Sequence, residues 1–403
     1  MTEGRGVDVA IVGAGPAGAW TAYRLARAGA RVALYDASHP REKPCGGGVT
    51  GRALALVSAA VPGECQASAR QVPGECQAGA RQVPGTVAVR AARFGSATVT
   101  LAPDALVVTS RRAFDAALAD AAQQAGATLV RTRILDVDVA DEGVALRTSD
   151  GVQHAAFVVG ADGANSLVRR HVAAPFRRDQ LSIATGFYAR GITSDEIVIE
   201  FVADPPGYIW SFPRPDHLAI GICAQADAGA TAGDLRARTE RWIRATGLAR
   251  GAALTPYSWP IPSLGARDFE APLAGPRWLL AGDAAGLVDP ITREGIFFAL
   301  QSAEHAAAAI LGATPAATYE ARLRREMLPE LAQAARLKAG FFTPPFVGLL
   351  IRALERSRGV RAVMADLVAG RQSYRTLKWR LLKTFEARLA WDAWQTRGRL
   401  NGA

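Results

Sequence analysis

A glycine-rich turn between a strand and a helix places the strongest constraint on the fold of this chain. Residues 7–12 form a short apolar run that is typical of a buried parallel strand. The turn that follows has the spacing G-x-G-x-x-G and carries Gly13, Gly15 and Gly18. A helical pattern then runs to about Ala28, and residues 31–36 have the pattern of a second strand. Together these features predict one βαβ unit.

The three glycines match the fingerprint of dinucleotide-binding folds. The first permits a tight turn, the second lets the backbone approach a pyrophosphate, and the third lets the helix and the strand pack closely. The diphosphate is expected at the helix N-terminus. Asp36 ends the second strand, where a carboxylate can accept a hydrogen bond from a ribose hydroxyl. The residues predicted to bind the dinucleotide here are Gly13, Gly15, Ala17, Gly18 and Asp36.

Composition excludes several other classes of protein. The chain has 403 residues, of which 49% are hydrophobic, so it is not largely disordered and is long enough for two or three domains. Its four cysteines are too few for a disulfide scaffold and lack the spacing of zinc or iron–sulfur ligands: Cys45, Cys65, Cys76 and Cys223. The five histidines include no i,i+4 pair. We therefore expect no protein-bound metal.

Positive charge is concentrated in the last part of the chain. The net charge is +10, and residues 371–403 carry eight cations and two acids. An apolar series at steps of four residues runs through the same segment: Leu377, Leu381, Phe385 and Leu389. This pattern indicates either a basic helix on a membrane surface or a helix docked on the protein with a solvated basic face. No nucleic-acid recognition motif accompanies the charge, so no nucleic-acid partner is expected.

No targeting segment or membrane span is predicted. The first six residues are polar, and the most apolar later stretch, 341–351, is too short to cross a bilayer and contains Pro344 and Pro345. We expect a cytoplasmic protein that associates with a membrane, if it does so, only peripherally. The sequence leaves the oligomeric state open.

The middle of the chain has a different pattern from its first part. Residues 180–265 alternate apolar and polar side chains with period two, as in 197–202, which is typical of an antiparallel sheet. Before it, residues 129–137 are expected to form one strand. Residues 278–281 resume the buried-strand pattern, a long helix is expected from about Gly295, and the remainder is predicted to be helical.

Residues 61–85 contain a tandem repeat. The segment VPGECQASARQ is followed by VPGECQAGARQ and then by VPG. Two copies are too few for a solenoid. The repeat is either a flap that carries Cys65 and Cys76 or a duplicated surface loop.

Two later motifs resemble the signatures of the p-hydroxybenzoate hydroxylase-like flavoprotein superfamily. They are Gly160-Ala-Asp-Gly-Ala-Asn-Ser-Leu-Val-Arg169 and Gly282-Asp-Ala-Ala-Gly286, and Arg111 in an Arg-x-x-Phe-Asp motif matches a third family position. The resemblance implies that the nucleotide is FAD. It further implies that Asp283 holds the ribityl hydroxyls and that Arg111 and the pair Asp162–Gly163 lie near the diphosphate. Backbone N–H groups of Gly295 and Ile296, at a helix N-terminus, are implied to face the flavin. The remaining positions assigned to the cofactor are Gly46, Gly48, Ile134 and Gly282.

Two further segments resemble the geranylgeranyl reductase family, whose members hydrogenate isolated double bonds of polyprenyl chains. These are Pro40-Arg-Glu-Lys-Pro-Cys-Gly-Gly-Gly48 and Tyr208-Ile-Trp-Ser-Phe-Pro213, and the resemblance extends to about residue 310. The three rings of the second segment alternate along a strand and therefore share one face, as suits a long apolar ligand. The predicted substrate-binding residues are Tyr208, Trp210, Phe212 and Pro213. The alternative for these rings is ordinary core packing.

Cys45 is the predicted catalytic residue. It precedes three glycines, where flavin is able to approach closely, and it is a candidate proton relay; the alternative is a packing role in the loop. Two positions depart from the family pattern, because Cys223 and Arg293 stand where relatives have glycine. Cys223 is expected to narrow the cavity floor. Arg293 is expected to shift the flavin potential or to meet an anionic substrate.

The expected fold is α/β, with a Rossmann-type FAD-binding domain, an inserted antiparallel β-sheet substrate domain and a helical C-terminal region. The predicted FAD-binding domain comprises residues 1–60, 106–175 and 268–315. The substrate domain comprises 61–105 and 176–267, and the helical region comprises 316–403.

The predicted reaction is a two-step reduction. An external donor, NADPH or ferredoxin, reduces FAD, and the flavin then passes hydride to a C=C bond of a hydrophobic prenyl substrate while a proton reaches the other carbon. One alternative is an FAD-dependent monooxygenase or halogenase acting on a small hydrophobic substrate. Another is a flavoprotein that carries electrons to quinone.

Overall fold

The computed structural model describes residues 7–61, 81–82 and 85–384. Within these ranges the strands are β1 (Val7–Val12), β2 (Val32–Tyr35), β3 (Gly48–Thr50), β4 (Arg81–Gln82), β5 (Thr86–Ala91), β6 (Gly95–Thr100), β7 (Leu106–Thr109), β8 (Thr128–Val130), β9 (Ile134–Ala140), β10 (Gly143–Thr148), β11 (Gly151–Gly160), β12 (Leu181–Arg190), β13 (Glu196–Ala203), β14 (Pro206–Pro213), β15 (His217–Gln225), β16 (Ala253–Pro262), β17 (Ala274–Gly275) and β18 (Trp278–Leu280). The helices are α1 (Pro16–Arg27), α2 (Gly51–Val57), α3 (Arg111–Gln124), α4 (Leu167–Val172), α5 (Ala232–Thr246), α6 (Ile296–Ile310), α7 (Pro315–Glu326), α8 (Leu328–Phe341), α9 (Pro344–Arg356), α10 (Arg358–Val368) and α11 (Tyr374–Lys383). Most of the predicted repeat, with Cys65 and Cys76, lies outside the described residues.

The first sheet contains the predicted βαβ unit. Its strand order is β17–β18–β11–β1–β2–β8, and β10 and β9 extend it from β11. β1 pairs in parallel with β2 and with β11, and α1 packs against α3 and α6. Ile11 and Leu34 are fully buried because helices cover the parallel strands of this mixed sheet. The C-terminal ends of β1, β11 and β18 meet at one edge, where ligands of such sheets bind.

The expectation of one strand over residues 129–137 is wrong. The chain forms β8, turns at 131–133 and continues as β9, and the two strands have different partners: β8 pairs with β2, whereas β9 pairs with β10. Hydrogen bonds hold the turn, because Arg131 Nη1 donates to the His39 carbonyl at 2.5 Å and Thr132 Oγ1 lies 2.9 Å from Ser149 Oγ. These partners are distant in sequence, so the local pattern gave no sign of the break.

The second sheet has seven strands in the order β16–β12–β15–β14–β13–β5–β6. It is antiparallel as predicted, except that β13 pairs with β5 in parallel. The period-two pattern did not predict α5, a helix that lies inside the 180–265 segment and packs on β12 and β15. Its boundaries do carry local signals: Thr231 and Asp234 form a capping box, and Gly247 ends the helix with a φ of 66°. A third, small sheet has the order β3–β7–β4.

The chain continues as helices α7 to α11 through Lys383, as predicted. In the described part of the chain, no single helix is long and apolar enough to span a membrane; α8 and α9 meet that test only as a pair, with a bend of 101° between them. Phe385 and Leu389 of the predicted amphipathic series lie outside the described residues.

Candidate active site

The fingerprint turn requires glycine at two positions for steric reasons. A Cβ on Gly18 would lie 1.8 Å from the carbonyl oxygen of Gly13, so α1 reaches this close to β1 only without a side chain there. Gly13 has a φ of 101°, and a Cβ on it would lie 2.4 Å from the carbonyl oxygen of Ala161. The turn therefore packs directly on the end of β11, as the fingerprint predicts.

Asp36 stands at the end of β2 as an ionised acceptor. Its carboxylate accepts hydrogen bonds from the backbone N–H of Ala14 at 3.0 Å and of Ser38 at 2.9 Å. Burial raises the pKa of Asp36, but these hydrogen bonds and the charge of Lys43 outweigh it, and the net pKa lies below its usual value. The carboxylate thus lies against the glycine-rich turn, where a ribose is expected.

A groove of about 120 Å³ runs along this edge of the sheet. Among its lining residues are eight of the predicted cofactor-binding positions: Gly15, Ala17, Arg111, Asp162, Gly163, Asp283, Gly295 and Ile296. The other predicted positions do not line the groove: Gly13, Gly18, Asp36, Gly46, Gly48, Ile134 and Gly282. Of these, Ile134 is a core residue at the start of β9, and a Cβ on Gly282 would lie 3.0 Å from Ala17 Cβ.

The two aspartates of the groove differ in their bonding. Asp162 accepts hydrogen bonds from Ser166 Oγ at 2.5 Å and from the Leu167 N–H at 2.6 Å, so its carboxylate is occupied at the start of α4. The carboxylate of Asp283 accepts no hydrogen bond from a side chain or N–H of the described residues. Burial raises the pKa of Asp283, against the charges of Lys43 and Arg111. Asp283 is therefore the carboxylate in the groove with free acceptor capacity.

Cations line the groove as well. Arg111 is buried and makes two hydrogen bonds of 3.0 Å to Asp115, and its own backbone N–H donates to Glu42 at 3.0 Å. Lys43, which the sequence analysis left without a role, also lines the groove, and burial lowers its pKa. A Cβ on Gly15 would lie 2.9 Å from Lys43 Nζ, so the glycine leaves room for a ligand beside a cation.

These features fit a dinucleotide with a flavin at one end. The groove offers a glycine cradle at a helix N-terminus, cations for a diphosphate, and an unpaired carboxylate, Asp283, for hydroxyl groups. When bound, FAD supplies hydride chemistry at its ring.

An apolar cavity of about 250 Å³ adjoins the groove. Three of the four predicted substrate-binding residues line it, namely Tyr208, Trp210 and Phe212; Pro213 does not. Gly221 leaves space for the indole ring of Trp210, because a Cβ at position 221 would lie 2.4 Å from that ring. Helix α8, the residue that follows it and helix α10 supply a side of the cavity that was not predicted from the sequence: Phe341, Phe342, Met364, Leu367 and Val368.

The groove and the cavity share a boundary. The residues that line both are Pro44, Cys45, Ile261, Arg293, Gly295 and Ile296. The thiol of Cys45 accepts a hydrogen bond from the N–H of Gly47 at 3.3 Å. Cys45 therefore lies where the predicted flavin and the predicted substrate would meet, and its catalytic role stays a prediction.

Arg214 holds the loop that carries Cys45, and the sequence analysis missed it. Its side chain is fully buried; it pairs with Glu42 at 2.6 Å and donates to the carbonyl oxygens of Cys45 at 2.7 Å and Gly46 at 3.1 Å. Glu42 in turn accepts from Ser110 Oγ at 2.6 Å at the start of α3. One buried ion pair thus joins the end of β14 to the loop and to α3. In sequence Arg214 belongs to an ordinary Arg-Pro-Asp turn, which gives no sign of this role.

The glycines after Cys45 make room for a protein ring. A Cβ on Gly46 would lie 2.8 Å from the Phe212 ring, and one on Gly48 would lie 3.0 Å from it. The loop therefore packs flat against the aromatic wall. Close approach of the flavin to Gly46 and Gly48 stays a prediction.

Comparison with known proteins agrees with this geometry. The model of the FAD binding domain family matches residues 6–316. A digeranylgeranylglycerophospholipid reductase of Methanothrix thermoacetophila is 29% identical over 372 residues, which cover 83% of this chain and 87% of that protein. A chloroplastic geranylgeranyl diphosphate reductase of Nicotiana tabacum is 30% identical over 338 residues, covering 77% and 67% respectively.

Two solved structures share the fold. A geranylgeranyl bacteriochlorophyll reductase-like protein from Thermoplasma acidophilum superimposes with a TM-score of 0.76 at 20% identity, over 94% of this chain and 99% of that one. The flavin-dependent brominase Bmp2 superimposes with a TM-score of 0.70 at 18% identity, over 94% and 98%. The fold is thus common to flavoproteins of different activities, and fold alone does not choose between them.

The glycine cradle, the groove and the matched family model define a flavin-dependent oxidoreductase that binds FAD. Within that class, the chain belongs to the geranylgeranyl reductase family.

Proposed function

We propose that this enzyme saturates C=C bonds of a polyprenyl chain that lies in the apolar cavity. The observation that carries the proposal is the shared boundary: the cavity of Tyr208, Trp210 and Phe212 opens onto the groove at Cys45. A prenyl chain is long and apolar, and aromatic rings along one face of a strand offer it a matching apolar surface. The two relatives described above are named for substrates that share a geranylgeranyl chain and differ in head group, which supports the chain as the recognised part.

The residues of the cavity have distinct tasks in this proposal. The aromatic wall and the helical side exclude water and keep the alkene in apolar surroundings. An isolated alkene is a poor electrophile, so a proton must arrive at one carbon as the other accepts hydride. Cys45 is the group at the boundary that carries a transferable proton, and Arg214 fixes the backbone of its loop.

The direct test is product analysis under anaerobic conditions. We expect FAD-reconstituted protein, reduced with dithionite, to add about 2 Da per saturated bond to geranylgeranyl diphosphate or to a digeranylgeranyl glycerolipid. NADPH and reduced ferredoxin are then compared as donors, since the sequence leaves both open. An oxygenated or halogenated product that requires oxygen would contradict the proposal. Reduction of a quinone head group with no alkene saturated would contradict it as well.

We further propose that α11 brings the enzyme to an anionic lipid surface. Trp379 and Leu382 are 65% and 55% exposed, and they stand among cations of the same helix, Lys378, Arg380 and Lys383. Exposed apolar side chains beside cations suit a bilayer of negative charge.

Vesicle sedimentation tests this membrane proposal. We expect W379S/L382S to lose binding to phosphatidylglycerol vesicles, while Val152→Ser, which removes a 53% exposed apolar side chain on β11, leaves binding unchanged. Equal binding of the double variant and the wild type would refute it.

A further inference from the structure

Arg293 carries a positive charge at the boundary between groove and cavity. In the described part of the chain its guanidinium forms no salt bridge and its hydrogen bonds go to neutral groups: Nε donates to Cys223 Sγ at 3.3 Å, and Nη1 donates to Ser263 Oγ at 2.5 Å. The two positions that depart from the family pattern, Cys223 and Arg293, are therefore in contact with each other. An unpaired cation on the wall of an apolar cavity is costly unless an anion joins it.

The surrounding residues hold this arginine in one place. Its φ is 62°, a left-handed conformation that a residue other than glycine keeps only when its neighbours fix it. The hydroxyl of Ser263 donates to Gln225 at 2.9 Å and accepts from Arg293 and, at 3.1 Å, from Lys338 Nζ. All hydrogen-bonding capacity of that hydroxyl is used, so its orientation is fixed.

A second cation increases the positive charge instead of balancing it. Lys338 on α8 reaches Ser263, where Nζ also donates to the carbonyl oxygen at 2.9 Å. Burial, followed by the charge of Arg293, lowers the pKa of Lys338 to about 8. In the described part of the chain neither cation has an acidic hydrogen-bond partner, although the more distant carboxylates of Asp227, Asp268 and Asp179 act on Lys338.

We propose that Arg293 is a fixed cation for the reduced, anionic form of the bound flavin and raises its reduction potential. The fingerprint turn is expected to hold the diphosphate of FAD, so we place the redox-active ring where the groove opens onto the cavity, at the boundary that Arg293, Gly295 and Ile296 line. The oxidised ring is neutral and the reduced ring gains negative charge. A cation in apolar surroundings stabilises the second state more than the first. The inference rests on FAD binding alone and not on the prenyl substrate.

The test measures the flavin in the absence of substrate. R293G removes the charge and suits the left-handed backbone, whereas R293K keeps the charge. We expect R293G to lower the two-electron midpoint potential, measured by dye-coupled anaerobic reduction. Sulfite adds to the flavin ring and leaves it negatively charged, so we also expect R293G to weaken sulfite binding about tenfold. R293K is expected to retain most of both properties.

The control is R133Q, which removes an exposed arginine that lines neither the groove nor the cavity and should leave both measurements unchanged. FAD content and thermal unfolding of each variant establish that it is folded and loaded. The inference would be overturned if R293G had the same midpoint potential and the same affinity for sulfite as the wild type. A change confined to the binding of an anionic prenyl substrate would overturn it too, since the arginine would then serve that substrate and not the flavin.

Discussion

At the scale of single residues, Cys45 is the group whose role an experiment most directly decides. We expect C45A to bind FAD normally and to reduce the alkene about 100-fold more slowly, because a positioned proton donor contributes at least that factor. C45S keeps a hydroxyl at the same place and should recover part of the rate. The measurement is the anaerobic reoxidation of reduced flavin by prenyl substrate. A wild-type rate in C45A would show that the proton comes from elsewhere.

Asp283 is expected to favour FAD binding at the expense of stability in the empty protein. Burial raises its pKa in the folded state, so the carboxylate destabilises the fold as pH rises above the usual value of 3.8 and takes on its charge. D283N removes that charge. Near pH 7 we expect the apoprotein variant to melt at a higher temperature, and to bind FAD about 10- to 100-fold more weakly because hydrogen bonds to a charged acceptor are lost. Equal melting temperatures at pH 7 would contradict the assignment.

Residue types and local spacing predicted part of this site. The glycines of the fingerprint and the aromatic wall belong to short, contiguous patterns, whereas the role of Asp283 was implied only by the resemblance of its motif to a family signature. Arg214 and Lys338 were missed, because their roles depend on partners such as Glu42 and Ser263 that lie far away in sequence. No local pattern distinguishes such a residue from an ordinary surface cation.

At the scale of elements, the contact between α1 and β1 depends on the absence of one side chain. We expect G18A to destabilise the fold by about 3 kcal/mol and to abolish FAD binding, because its Cβ would lie 1.8 Å from the Gly13 carbonyl oxygen. The matched control is G340A in α8, where a Cβ meets nothing within 4 Å and where alanine should stabilise the helix by about 0.5–1 kcal/mol. Urea unfolding of the apoproteins measures both. Equal effects of the two substitutions would contradict the steric argument.

Elements whose apolar side chains recur with a clear period were predicted well, whereas elements whose bounds or partners depend on tertiary contacts were not. α1, β1 and α6 follow from apolar spacing and glycines. β8 and β9 are separate strands because β8 pairs with β2 whereas β9 pairs with β10. The parallel pair of β13 and β5 joins segments about a hundred residues apart. Period-two alternation predicts a strand but not the identity or direction of its neighbour.

At the scale of the whole molecule, the cavity has walls from distant parts of the chain, among them the loop of Cys45, the strand β14 and the helices α8 and α10. A ligand that fills it should therefore stabilise these parts together. We expect geranylgeraniol at 100 times its dissociation constant to stabilise the FAD-loaded protein by about 2.7 kcal/mol, seen as a rise in melting temperature.

The substitution L367W tests whether that stabilisation comes from this cavity. Leu367 lies on α10, is 8% exposed and lines the cavity, so an indole there occupies the volume that the prenyl chain needs. We expect the variant to keep its FAD and to lose the melting shift, whereas L311W, on an exposed position after α6, keeps both. If L367W retains its FAD and shifts as far as the wild type, the prenyl chain binds elsewhere, since two bulky groups do not share one cavity of about 250 Å³.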